Sequence, residues 1–163
     1  MADESWAVEE YCEDAIAAYL TSKITAESVE IYTAWTDTEI KYPCAIVHAG
    51  VSRNVGESEF NGVREIEVSI AVMSEAHASG TTTARNVNRA ARNEIVKALA
   101  YDNLHTEINT IGTEGVTFSY AMLTAINRSV EADKRAFVSE ISLHVIATAV
   151  EITTTTTTTT AGA

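Results

Sequence analysis

Positive charge is scarce in this chain of 163 residues: Lys and Arg number 11 against 23 Asp and Glu, a formal net charge of −12. So acidic a molecule stays soluble and repels polyphosphate, which argues against a conventional grip on nucleic acid. Cysteine is scarcer still. Cys12 on a predicted helix and Cys44 in a predicted strand have neither CxxC spacing nor an adjacent His, a pattern that speaks for buried thiols rather than zinc or redox chemistry. No apolar run approaches the ~20 residues that span a bilayer, and the acidic start (Asp3, Glu4) lacks the basic and apolar regions of a signal peptide. Assembly in the cytoplasm, without a membrane partner, is the expectation. There is no G-x-S-x-G elbow and no glycine cluster ahead of a helix, so neither a serine nucleophile nor a phosphate loop is on offer. The four histidines (His48, His77, His105, His144) have no i, i+4 pair, and only His48 and His144, both on predicted strands, are candidates to meet in space. No enzyme activity and no cofactor are expected.

What is present is alternation. In Glu65 to Val72, Ile66, Val68, Ile70 and Val72 point one way while Glu65, Glu67 and Ser69 point the other, the pattern of a sheet with one buried face. Before it, Tyr42 and Pro43 enter a strand from Cys44 to Val51, and Pro43, which cannot donate a ladder hydrogen bond, belongs near a strand's start or at an edge. A helix from about Trp6 to Lys23 is predicted from Val8, Tyr11, Cys12, Ala15, Ile16, Tyr19 and Leu20 at steps of three and four. A short strand follows at Val29 to Trp35. A second helix, about Ala84 to Tyr101, is expected to bury Val87, Ala91, Ile95, Ala98 and Leu99 and to end at Asp102 and Asn103. Two more strands are predicted: Val116 to Met122, with Val116, Phe118, Tyr120 and Met122 on one side, and Phe137 to Val150, joined by a turn at Asn127 to Lys134.

The order becomes α, β, β, β, α, β, β. Hairpin connections and two helices give an α+β fold, an antiparallel sheet of four to five strands with both helices on one face. Residues 1–152 form the single domain. Residues 153–163 are a low-complexity arm holding eight consecutive threonines, Thr153–Thr160, either a tail without a core or an extended arm added as a strand to a neighbouring subunit.

Three groups of residues are candidates for contacts. Arg85, Arg89 and Arg92 fall on one face of the second helix, a basic stripe that either pairs with acids such as Glu94 in its own chain or meets an acidic side of the next subunit. Glu65, Glu67 and Glu140 form an acidic wall, either a solvated face or the lining of a passage to which DNA does not stick. The polar segment Ser52 to Gly62, with Arg53, Asn54, Glu57, Glu59 and Phe60, joins two strands as a long hairpin tip able to reach a partner.

The N-terminal amphipathic helix, the strand YPCAIVHAG, the segment NGVREIEVSIAVMSEAH, the helix TARNVNRAARNEIVKAL and two closing strands resemble, from about Val8 to Val150, the tail terminator (tail completion) proteins of long-tailed bacteriophages. The resemblance lies in element order and loop character. It implies a virion structural protein, assembled in the host cytoplasm, that forms a homo-oligomeric, hexameric ring on the tail tube. The ring halts tube growth and offers the surface to which a head-tail connector or neck protein docks, while DNA passes through an acidic lumen without sequence-specific binding. Neck, connector and tail tube subunits share size and composition with this family, and a small ligand-binding α+β dimer is the alternative from another class.

Overall fold

The computed structural model describes residues 8–25, 29–34, 36–56, 62–75, 81–112, 114–132 and 136–150, with the backbone alone at 81–84 and 128–132. In chain order the elements are α1 (Val8–Lys23), β1 (Glu30–Thr33), β2 (Cys44–Asn54), β3 (Val63–Glu75), α2 (Thr81–Leu99), α3 (Leu104–Asn109), β4 (Val116–Ala132) and β5 (Ala136–Ala149). The strands form one five-stranded sheet in the order β1-β2-β3-β5-β4. The fold is α+β, as the alternation predicts. The sheet, however, is mixed: β1 pairs parallel to β2, with Glu30 opposite Cys44 and Thr33 opposite Val47, while every other pair is antiparallel. Parallel pairing requires the chain to return along the sheet between Thr33 and Cys44, which a tight hairpin does not do.

The periodicities decide which face is buried. In β3, Ile66, Val68, Ile70 and Val72 are buried to 1 % exposure or less, and across the ladder they meet Val145, Leu143, Ile141 and Ser139 of β5. Helices α1, α2 and α3 cover this face, α1 mainly over β1 and β2, α2 over β3 and β5, α3 over β4. Each fully buried Ile or Leu here is worth roughly 1.5–3 kcal/mol of transfer free energy. The stripe predicted for α1 packs inward, and Glu9, Glu10 and Lys23 sit at the ends that suit the helix dipole. Tyr19 is buried and donates its hydroxyl hydrogen to the carbonyl of Ala98 at 2.6 Å. That carbonyl lies in the last turn of α2, where no intrahelical partner remains.

Four local readings of the sequence change. In α2 the buried position is Asn88, and Val87 is 36 % exposed; the helix turns so that Asn88, Ala91, Ile95 and Leu99 face the sheet. A third helix, α3, follows Asn103. Its two buried residues, Leu104 and Ile108, are one turn apart, and six residues are too few for a helical period to show in sequence. Its last residue, Asn109, locks it to β4: the side chain donates to the Phe118 carbonyl at 2.8 Å and accepts the Phe118 N–H at 2.9 Å. Strand β4 runs on to Ala132, so most of the segment expected as a turn is strand, with the tip at 133–135 outside the described residues. A bulge between Phe118 and Tyr120 reverses its alternation: Val116 and Phe118 are buried, whereas Tyr120 and Met122 turn to the uncovered face and Ala121 takes the inward position. The side chains of Thr81–Thr83 and the arm Thr153–Thr160 lie outside the described residues.

Candidate functional site

Among the described residues no helix lies on the sheet face opposite α1, α2 and α3, and the acidic wall lies there. Glu65 and Glu67 are two apart on β3, so both side chains project from this face, and β5 brings His144 directly opposite Glu67. The imidazole bridges the two carboxylates, with Nε2 3.1 Å from Glu65 Oε1 and Nδ1 3.1 Å from Glu67 Oε1. Both ring nitrogens donate only in the doubly protonated form, so the bridge is complete as two ion pairs in that form. Tyr120 meets the ring edge-on at 5.8 Å between centroids. Glu140, exposed on the same face, stands opposite Ala71 and is therefore displaced from Glu67 by four residues along the ladder. The structure thus gathers Glu65 and Glu67 into one cluster and sets Glu140 apart from it.

His48 and His144 do not meet. His48 Nδ1 lies 3.3 Å from Oε1 of Glu13, a residue of α1 that sequence reading passed over. Glu13 is 2 % exposed, and its Oε1 also accepts the N–H of Ala49 at 2.8 Å. β1 ends opposite Val47, so the carboxylate takes up an edge amide that a longer β1 would have bonded. The signal was present: Glu13, Ile16 and Leu20 share the three-four spacing of the buried stripe. Among the described residues no three His, Cys, Asp or Glu side chains are grouped as a metal site.

The arginine stripe is where the second helix predicts it. Arg85 and Arg89 are exposed and Arg92 is half-buried. None of the three forms an ion pair among the described residues, and Glu94, the acid nearest in sequence, is taken by Lys97 at 2.7 Å. In the predicted hairpin tip, Ser52, Arg53 and Asn54 belong to β2, with Arg53 opposite Glu65 and Asn54 opposite Arg64. Asn54 accepts a hydrogen bond from Arg64 at 2.6 Å. The strand continues past a bulge between Ala49 and Ser52. Glu57, Glu59 and Phe60 lie outside the described residues.

Both thiols are free and buried, as their setting predicts. Burial pushes Cys44 up to about 11 from an ordinary 9.0. Cys12 rises further, through burial first and then the adjacent Glu13 and Glu9. Burial, with Tyr101 and Glu107 nearby, takes Tyr19 to about 12 from 10.0. All three groups are neutral when protonated and hold the proton more tightly in the folded state. Their contribution to stability is complete below pH 9 and is lost as pH rises toward 12. Chemical unfolding followed by circular dichroism should therefore give a falling midpoint above pH 9, and a thiol reagent at pH 8 should label neither cysteine until denaturant is added.

The chain matches no protein-family model and no curated protein.

Proposed function

We propose that this chain is a ring-forming virion subunit, a tail terminator that caps the tail tube and joins it to the head connector. The observation that carries the reading is the half-covered sandwich. Helices cover one sheet face, and the other presents Tyr120, Met122, Glu65, Glu67 and Glu140 with no helix above them among the described residues. An uncovered face of mixed apolar and charged character is what a subunit completed by its neighbours requires. The likeness of the sequence to tail terminators in loop character and in the order of its main elements supports the same reading. An excess of acidic groups suits a bore through which DNA moves, because binding to phosphates is driven by Lys and Arg contacts that release counterions.

Electron microscopy of the purified chain at micromolar concentration tests the reading. Closed rings about a central hole are expected, and adding them to growing tail tubes should stop elongation. Open-ended tubes built from this chain alone would instead mark a tube subunit. A stable monomer with a small molecule held in a closed polar cleft would overturn the assembly reading.

A further inference from the structure

We infer that Arg85 and Arg89 on α2 of one copy seat on Glu65 and Glu67 of the open sheet face of the next copy, making a head-to-tail contact. The inference rests on the ring reading and names the contact that holds the ring together.

Three observations carry it. The first is that the arginines have no acid of their own among the described residues, although the molecule carries an excess of 12 negative charges. Long side chains are costly to order, so an unpaired arginine stripe on an acidic protein is complementary to other copies of that protein. The second is spacing. Arg85 and Arg89 are one helical turn apart, about 6 Å along the axis and within ~40° of one another around it. Glu65 and Glu67 are two residues apart on one strand, about 6.7 Å. Each carboxylate binds His144 through Oε1, and the side chains of Glu65 and Glu67 remain 44 % and 62 % exposed, so the second oxygen of each is open to a guanidinium. Glu140, four residues along the ladder from Glu67, is about 13 Å away and does not match the arginine pair.

The third observation is sidedness. Helix α2 packs on the face that holds Ile66 and Ile70, and Arg85 and Arg89 are exposed on this helix layer, while Glu65 and Glu67 leave the sheet on the other side. The two patches cannot meet within one chain. Lying on opposite faces, they also do not satisfy each other across a single two-fold axis, and a heterologous contact of this kind closes into a ring when its rotation permits. Glu65 and Glu67 then lie between subunits rather than on the bore where sequence reading places them.

Charge exchange in the full chain tests the contact. R85E/R89E should raise the concentration at which rings form by about tenfold or more, as like charges are brought together, and E65R/E67R should do the same. Combining all four substitutions in one chain should bring that concentration back to within about threefold of wild type. Sedimentation velocity across a concentration series reads the assembly, and circular dichroism confirms that each variant is folded. If E65R/E67R disturbs the fold through His144, R85Q/R89Q mixed with wild type gives the second readout, with assembly weakened and more so in 0.5 M salt than in 0.1 M. Rings of wild-type mass and concentration dependence from R85E/R89E overturn this contact and leave the ring reading standing. Disrupted rings without rescue in the four-fold variant also overturn it. Failure of the wild-type chain to form rings overturns both.

Discussion

Replacing Asn88 by aspartate is expected to destabilise the fold by about 3–5 kcal/mol, the cost typical of leaving a buried charge without its partner. Asn88 is fully buried between α2 and the sheet. Its amide nitrogen donates to the carbonyls of Val72 at 2.9 Å and Phe137 at 3.0 Å, one on β3 and one on β5. Its amide oxygen accepts a short hydrogen bond from the Ser139 hydroxyl. Carbonyls only accept, so the network fixes which end of the amide is nitrogen. An aspartate keeps the shape and the Ser139 contact, yet it replaces two donors with an oxygen facing two carbonyl oxygens. The new carboxyl would be driven toward its neutral form, so the deficit should shrink as pH falls toward 4. N88L loses the same bonds without burying a charge and should cost less, about 1–3 kcal/mol. For a chain of this size, thermal unfolding should separate the two variants by several degrees, at roughly 2–4 °C per kcal/mol. Equal losses that do not change with pH would show that Asn88 acts by volume alone.

Asn88 also marks what sequence could and could not convey. A pattern of apolar residues finds stripes, such as the three-four spacing of α1 and the large apolar side chains of Ile66, Val68, Ile70 and Val72 at every second position of β3. The same pattern predicts Val87 on the inner side of α2, because Val87 is apolar. The helix instead turns to Asn88, whose hydrogen bonds to two strands exist only once β3 and β5 are side by side. Glu13 is the same case on α1: a polar residue within the buried stripe, explained by an edge amide of β2 that no local pattern specifies. Tyr120 and Met122 continue the alternation of Val116 and Phe118 in the sequence, and a bulge set by the pairing with β5 turns them to the other face. The parallel run of β1 depends on its pairing with β2, which composition does not encode.

The candidate surfaces were legible in the measure that they are local. One turn of helix places Arg85 beside Arg89, and one strand repeat places Glu65 beside Glu67. The position of His144 between the two carboxylates depends on the β3–β5 register, in which Glu67 opposes His144. That the arginines and the carboxylates leave opposite sides of the sandwich is a property of the layers, and the face-to-back contact follows from it.

Substituting Ala for Gly115 is expected to cost about 2–5 kcal/mol, from two causes that can be measured apart. Gly115 has φ +75°, where an L side chain costs roughly 1–2 kcal/mol. A Cβ at this position would also lie 2.7–2.8 Å from Cγ, Cδ1 and Cδ2 of Tyr11. These atoms are at the root of the ring, so a turn of the ring about its own axis does not clear them, and relief takes a new χ1 rotamer of Tyr11 or a shift of α1. Here the first turns of α1 close over the start of β4, and Gly115 also accepts the N–H of Val150 at 2.9 Å, which ties down the chain just after β5. In a Tyr11→Ala background Cγ, Cδ1 and Cδ2 are gone, and Gly115→Ala should then cost only the backbone part. The difference between the two backgrounds should be about 1–3 kcal/mol, within the range of residues in direct contact. Additive losses in the double variant would mean that Tyr11 or the first turn of α1 gives way freely to admit the methyl group. The packing of the helix layer over the sheet, which gives the arginine face its direction, would then be looser than the contact of Tyr11 with Gly115 implies.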